Sequence, residues 1–224
     1  MQPYFFPYIG YFQLMNAVDI YVIADDLHFM KNGYIKKNSI LDHGVPVAIS
    51  LQLIGASQNK LINEIEVGEN KEKILTGIQR RYARASYFKG VFPLLQEIIL
   101  NEEKNLAKYL GSSLIKTADY LGIETKFIYS SQIEKDNTLK FDARIIEVCR
   151  KLNADHYINA IGGKKLYDKK KFSDEGIKLN FIDTQEIKYK QFDYDFIPNL
   201  SIIDVMMFNS KSEIQVMLNR YRLV

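Results

Sequence analysis

The chain has 224 residues and a formal net charge of +3, which is too small a charge to indicate nucleic-acid binding by itself. Hydrophobic residues make up 47% and charged residues 25%, as in ordinary globular proteins, so the chain can bury a core without disulfide bonds. The single cysteine, Cys149, excludes an intrachain disulfide framework. No apolar run is long enough for a membrane span, and no basic and apolar leader opens the sequence, so we expect a soluble, cytoplasmic protein.

The segment from residue 2 to residue 24 predicts a loop, a helix and a strand in succession. Pro3 and Pro7 fix their own φ angles and favour extended neighbours, so we expect a stiff, non-helical opening. The spacing of apolar residues in 10–18 predicts a short helix. The β-branched and aromatic run 18–24 predicts a strand that is buried on both faces.

Asp25 and Asp26 follow this strand, and we expect them at its carboxyl end, where open α/β sheets bind their ligands. Paired carboxylates can orient or deprotonate an amine or hydroxyl, and they also suit Mg²⁺, although the sequence identifies no cofactor. His28 is either a general base or an ordinary packed or surface histidine. With Lys31 nearby, the predicted catalytic residues are Asp25, Asp26, His28 and Lys31.

The next segment, 27–45, is polar and basic and predicts a loop or short hairpin. Strands are predicted at 46–53 and 61–67 from their alternating apolar residues. The whole stretch 27–67 can be an insert or flap, and its segment 27–45 can bring Lys31 or Asn38 over an anionic ligand. The alternative is a solvated connection.

Asn70 is a candidate N-cap for a helix with one apolar face, and three arginines cluster near the end of that helix. Clustered arginines are usually a solvated helix end. A guanidinium group also matches the geometry of phosphate, so Arg81 is a candidate phosphate ligand.

Helical and strand patterns alternate from residue 103 onward, which predicts βαβ units with a parallel sheet and right-handed crossovers. The helices are predicted at 103–121 and 141–152, and the strands at 125–129, 155–159 and 177–182.

Gly162 and Gly163 follow one of these strands, with Tyr167 close behind. Two glycines can expose backbone N–H groups as an anion-binding nest, or they can form a plain tight turn. Residues 199–224 predict a helical C-terminal segment.

In that segment Asn199 either caps a helix or contacts a ligand, and Asp204 needs a partner if it is buried in its apolar helix. Ser212 and Gln215 predict a capping box for the last helix, on which Tyr221 is expected to pack inward.

Four blocks of this sequence resemble the WbqC-like family of bacterial proteins, many of them encoded among surface-polysaccharide genes. The resemblance implies a role in building a surface glycan, with acyl or aminoacyl transfer to an amino sugar as one activity. The matching residues are Gln2, Pro3, Pro7, Gly10, Tyr11 and Phe12; Asp25, Asp26, Lys31, Gly33, Tyr34 and Asn38; Asp155, Tyr157, Gly162, Gly163 and Tyr167; and Pro198 to Asp204 with Phe208 and Asn209.

Tyr8, Ile9, Gly10 and Tyr11 are similar in placement to the HIGH-type signature of nucleotidyltransferases, although both histidines of that signature are absent. This weaker resemblance implies a HUP-type core. A loop of this kind normally follows a buried strand, so we expect the natural chain to extend before Met1.

We therefore expect a single α/β domain, 1–224, with a mostly parallel sheet, flanking helices, a nucleotidyltransferase-like core and a helical C-terminus. The leading function is group transfer to an activated amino sugar; the alternatives are a nucleotidyltransferase and a non-catalytic sugar-nucleotide-binding or partner subunit. The expected partners are a phosphate-bearing sugar or nucleotide and an acyl carrier, without nucleic acid. The predicted binding residues are Gln2, Tyr8, Gly10, Tyr11, Asn38, Arg81, Gly162, Gly163, Tyr167, Asn199 and Asp204.

Overall fold

The computed structural model describes residues 1–224 and shows an α/β fold, which confirms the predicted class. The helices are α1 (Ile9–Asn16), α2 (Lys71–Tyr82), α3 (Phe88–Ile99), α4 (Leu106–Tyr120), α5 (Phe141–Lys151), α6 (Lys169–Asp174), α7 (Ile202–Phe208) and α8 (Lys211–Leu218). The strands are β1 (Ile20–Ile23), β2 (Lys37–Asp42), β3 (Val45–Ser50), β4 (Leu53–Ile54), β5 (Glu66–Val67), β6 (Lys126–Tyr129), β7 (His156–Ala160), β8 (Lys178–Thr184) and β9 (Tyr221–Leu223). None of the helices has the length and apolar character needed to cross a membrane.

Two parallel strand pairs carry the α/β pattern. Strand β1 pairs with β6, and β7 pairs with β8, both in parallel, while β9 adds to β8 in the antiparallel direction. Helix α1 packs against β7 and β8, so it connects the two groups of strands. The parallel pairing places the carboxyl ends of β1 and β6 side by side.

Strand β1 is buried on one face and only partly buried on the other. Tyr21 and Ile23 are 3% and 0% exposed, whereas Ile20 and Val22 are half-buried. The expected burial on both faces is therefore incomplete.

The segment 27–67 contains an antiparallel hairpin of β2 and β3, closed by His43 and Gly44, whose φ angles are +48° and +77°. The predicted strand 61–67 is wrong over most of its length. The N–H groups of Ile62 and Asn63 donate to the carbonyls of Leu27 and Asp25, so they are unavailable to a sheet, and residues 62–64 form a short 3₁₀ helix instead.

Helix α3 has no counterpart among the predicted elements, and Pro93 lies within it. Proline is unfavourable inside a helix because it lacks an N–H donor and crowds the preceding turn. The helix nevertheless buries Val91, Leu95 and Ile99 completely, and this burial offsets the cost.

The C-terminal helices begin at different caps from those expected. Ser201, not Asn199, accepts the N–H of Ile203 at the start of α7. Helix α8 has its capping box at Ser210 and Glu213, with the Ser210 N–H donating to Glu213 Oε2 at 2.7 Å, so the predicted Ser212 and Gln215 box is wrong.

Two further residues differ from the expected pattern. Tyr221 lies in strand β9 rather than on a helix. Asn70 stands at the start of α2 without capping it, because its Oδ1 accepts the N–H of Gln52 at 2.8 Å.

The main core contains 44 buried residues and includes the aromatic side chains of the opening loop, whereas six other buried residues pack separately around α5, α6, β7 and β8. Phe5, Phe6 and Phe12 are each 0% exposed. The predicted core position of Cys149 is confirmed in the smaller cluster, and burial raises the pKa of its thiol to about 11.

Candidate functional site

Asp25 and Asp26 follow β1 at its carboxyl end, and their carboxylates have different partners. Asp25 accepts the N–H of Ser131 at 2.9 Å through Oδ1 and the Ser131 hydroxyl at 2.6 Å through Oδ2. Asp26 forms ion pairs with Lys135 and Arg144. The two adjacent acids therefore belong to two separate groups of side chains, one around Asp25 and one around Asp26.

On the Asp25 side, an open cavity of about 430 Å³ lies at the carboxyl ends of β1 and β6. Seven of its eight lining residues are polar or charged, and Tyr129, the last residue of β6, is the remaining one. Such a lining suits a small hydrophilic molecule rather than an apolar one. The lining residues are Asp25, Asn101, Glu103, Lys108, Ser112, Tyr129, Ser131 and Gln132.

Tyr129 is held in this cavity by a close approach to helix α4. A Cβ atom at Gly111 would collide with the Tyr129 hydroxyl, so only glycine leaves room for it. Burial, together with the charges of Asp25 and Glu103, raises the pKa of Tyr129. The hydroxyl therefore stays protonated near neutral pH and can donate a hydrogen bond to a ligand.

Glu103 and Lys108 enter the cavity from the start of α4. Glu103 Oε1 accepts the N–H of Asn105 at 2.8 Å, while Asn105 caps the helix by accepting the N–H of Lys108. Asn105 is thus hydrogen-bonded to both Glu103 and Lys108, the two charged residues that this part of the chain contributes to the cavity. Two carboxylates, Asp25 and Glu103, face one lysine there, so the lining carries an excess of one negative charge.

On the other side, Asp26 Oδ2 lies 2.7 Å from Lys135 Nζ and Oδ1 lies 2.9 Å from Arg144 Nη2. Burial opposes ionisation of Asp26, but hydrogen bonds from Lys135 and Ser130 and the charge of Arg144 together lower the pKa of its carboxyl group. Asp26 is therefore ionised across the neutral range.

The opening loop is held in place by the residues that match the second and fourth sequence blocks. The carbonyl of Phe6 accepts hydrogen bonds from Asn38 Nδ2 and from the Ser201 hydroxyl, both at 2.7 Å. Phe6 itself has a φ angle of +41°, which is strained for a residue with a Cβ atom. Asn38 is thus oriented toward the loop.

The other residues of the opening segment that were predicted to bind a ligand make contacts within the protein instead. The Tyr11 hydroxyl donates to the carbonyl of Gln2 at 2.6 Å, and Gln2 Nε2 donates to the carbonyl of His28 at 3.3 Å. Gly10 is buried where a Cβ atom would lie 2.5 Å from the Tyr8 ring and 2.7 Å from Thr184 Oγ1, so its lack of a side chain permits this packing.

Asp204 is fully buried and has the partners that its burial requires. Its carboxylate accepts hydrogen bonds from the hydroxyls of Tyr82 and Tyr189 and from Gln191 Nε2, each at 2.7 Å. Burial raises the pKa of Asp204, and these three donors act against the rise. The three donors account for the buried carboxylate without a ligand.

The other predicted residues are dispersed. Arg81 pairs with Asp42 at 2.8 Å and links α2 to β2. Gly163 is packed against Asn159 and Tyr167, next to the Tyr157 ring, while Gly162 is exposed. His28, Lys31 and Asn199 are exposed, and Asn199 has a φ angle of +58°.

The structure therefore brings Asp25 together with residues that sequence reasoning did not single out. Tyr11 and Gly163 are not among the residues that line the Asp25 cavity. Of the added residues, Ser131 carries a usable signal, because it follows a predicted strand just as Asp25 does. Glu103 and Lys108 belong to an ordinary helix start and Ser112 to the middle of that helix, and none of the three shows a local motif. No three His, Cys, Asp or Glu side chains gather in a metal-binding arrangement.

Comparison with known proteins gives a family and one distant relative. The model of the WbqC-like protein family matches residues 2–216. A protein of Mycobacterium tuberculosis (strain ATCC 25618 / H37Rv), named "Uncharacterized protein Rv1507c", is 26% identical over 219 residues, which cover 95% of this chain and 93% of that protein. No solved structure matches.

Proposed function

The chain belongs to the WbqC-like protein family, and we propose that it is a cytoplasmic transferase that places an acyl or aminoacyl group on an amino sugar during surface-glycan synthesis. The cavity beside Asp25 is the proposed acceptor site. Its position at the carboxyl ends of two paired parallel strands is where α/β folds generally bind ligands.

The observation that carries the proposal is the polar, net-negative lining of this cavity. A volume of about 430 Å³ suits a molecule of monosaccharide size. The carboxylates of Asp25 and Glu103 can accept hydrogen bonds from sugar hydroxyls and attract a protonated amine. The same two charges repel the phosphates of a nucleotide, so an amine-bearing acceptor fits this cavity better than a nucleoside triphosphate.

The cavity also contains groups suited to the transfer step. The bound ammonium group first releases one proton to solvent, because only a neutral amine can attack, and it loses a further proton as its nitrogen bonds to the acyl carbon. Asp25, already oriented by Ser131, can accept that proton. Lys108 and the Tyr129 hydroxyl can stabilise the negative charge that develops on the acyl oxygen. The carrier then leaves with the electron pair of its bond to the acyl carbon and takes up the proton held by Asp25.

Binding of glucosamine and glucose to the purified protein tests the acceptor site, because the two sugars differ in one amine. We expect glucosamine to bind about tenfold more tightly, and Asp25→Asn or Glu103→Gln to weaken it by roughly 10- to 100-fold, the loss of a charged hydrogen bond. Glu102→Gln is the matched control, since Glu102 is an exposed neighbour outside the cavity. Equal binding of both sugars by all four proteins would refute the proposed acceptor.

Transfer itself is measured by mass spectrometry of glucosamine after incubation with acyl thioesters or aminoacyl donors. A mass increase of one acyl group that is lost in Asp25→Asn supports the transferase. Binding without a mass change supports a binding or partner subunit. Mg²⁺-dependent release of pyrophosphate from a nucleoside triphosphate supports the nucleotidyltransferase alternative instead.

A further inference from the structure

Asp26 lies in a cluster in which cations outnumber anions. Its carboxylate is shared by Lys135 and Arg144, whose side chains are only 2% and 14% exposed, while that of Asp26 is 11% exposed. These three side chains carry one excess positive charge, and the adjacent acid, Asp25, is engaged by Ser131 rather than by either cation. An uncompensated charge in a poorly hydrated place is costly, so the cluster favours a second anion.

Lys135 already uses its three N–H donors within the protein. Its Nζ lies 2.7 Å from Asp26 Oδ2 and also donates to the carbonyls of Ser130 and Ile133. Lys135 therefore closes the turn after β6 and orients Asp26. The excess positive charge is left on Arg144.

Arg144 has unused hydrogen-bonding capacity. Its Nη2 faces Asp26 Oδ1 at 2.9 Å, but neither atom has a hydrogen-bond partner because the two groups are poorly aligned. A guanidinium group carries five N–H donors in one plane and suits two-point binding of a phosphate or carboxylate.

A second acid, Asp142, lies in the same first turn of α5 as Arg144, and one of its carboxylate oxygens has no hydrogen-bond partner. Asp142 pairs with Lys171 at 2.8 Å through its other oxygen, so this pair is neutral and leaves the charge of Arg144 uncompensated. Helix α5, which carries Arg144 in its first turn, also begins without a side-chain cap.

We infer that Arg144, at the start of α5, is the centre of an anion-binding subsite that takes the phosphate or carboxylate group of a small molecule. The subsite lies on the Asp26 side of the β1 end, beside the proposed acceptor cavity on the Asp25 side. Its use for an anionic acyl or aminoacyl donor rests on the proposed function, whereas its ability to bind an anion does not.

Inorganic phosphate and acetate, tested separately by thermal shift and calorimetry at constant ionic strength, probe the subsite. We expect saturable stabilisation by at least one of them, and loss of that stabilisation in Arg144→Gln. Phosphate binding alone assigns a phosphate ligand, and acetate binding alone assigns a carboxylate. Arg150→Gln, on the exposed end of the same helix, is the control and should retain binding.

Asp26→Asn separates an anion subsite from a purely structural ion pair. Removing this carboxylate frees Arg144 and takes away a nearby negative charge, so the anion should bind roughly tenfold more tightly. No stabilisation by either anion in the wild type and in Asp26→Asn would overturn the inference. Asp25→Asn should retain anion binding, so failure of the acceptor proposal remains distinguishable from failure of this one.

Discussion

Tyr82→Phe removes one hydroxyl group from the buried network that surrounds Asp204. That hydroxyl donates to Asp204 Oδ1 at 2.7 Å and accepts the N–H of Leu41 at 2.8 Å. Tyr82 and Asp204 are both 0% exposed, so water cannot replace the lost contacts. Because phenylalanine refills the space of the ring, the change tests the hydrogen bonds rather than a cavity.

The expected cost in the free energy of unfolding is about 3 kcal/mol. Losing a hydrogen bond to a charged group costs about 1.5–3 kcal/mol, and leaving the buried N–H of Leu41 unpaired costs about 1–3 kcal/mol. For a chain of this size, a loss of about 3 kcal/mol lowers the melting temperature by roughly 6–12 °C. Urea unfolding at pH 7 measures the free energy directly.

The cost should also depend on pH. Burial raises the pKa of Asp204 in the folded protein above its unfolded value, so this group favours folding fully below the unfolded pKa, and the contribution is lost as pH rises through the folded pKa. Without the Tyr82 donor the folded pKa rises further. The deficit of Tyr82→Phe relative to wild type should therefore be larger at pH 7 than at pH 4.

Tyr87→Phe is the matched control, because Tyr87 is 37% exposed whereas Tyr82 is fully buried. It should change the free energy of unfolding by less than about 0.5 kcal/mol. If Tyr82→Phe matches this control at pH 7, the three-donor network around Asp204 does not stabilise the fold as argued.

Three further outcomes follow from the packing. Gly111→Ala should destabilise the protein by about 1–3 kcal/mol and weaken ligand binding in the cavity, because its Cβ would collide with Tyr129. Gly90→Ala in α3 should stabilise the protein by about 0.5–1 kcal/mol, because no atom lies within 4 Å of the added Cβ. Urea unfolding of both variants measures the two changes in the free energy of unfolding. If both variants are destabilised, or both stabilised, the argument from packing is wrong. Cys149, with its pKa raised to about 11, should resist iodoacetamide at pH 8 until urea unfolds the protein, and rapid labelling of the native protein would show that it is accessible.

Local sequence patterns correctly predicted those helices and strands whose bounds are set by residues close together along the chain. The strand before Asp25 and the end of α4 at Gly122, where φ is +71°, follow from β-branched runs and from the glycine stop. The strand expected at 61–67 failed because its backbone donors bond to residues 25–27, a contact that alternation along the sequence does not encode.

The sequence predicted the position of the two acids of the candidate site but not the residues that surround them. Asp25 and Asp26 could be placed at a strand end from local pattern, and the structure confirms that position. Their partners lie about a hundred residues away along the chain, as Ser131 does from Asp25, and they meet only because β6 pairs with β1. Which strands become neighbours depends on the tertiary fold, so the sequence alone did not single out Lys135 or Arg144.

The carbonyl of Phe6 joins three distant parts of the chain. It holds the first turn of the molecule to Asn38 and, across 195 positions, to Ser201. During synthesis the aromatic opening segment therefore emerges from the ribosome long before its last partner exists. Until residue 201 has been translated, Phe5 and Phe6 lack some of the residues that bury them in the folded protein. A prematurely terminated chain would therefore expose these aromatic side chains, which favours chaperone binding or aggregation.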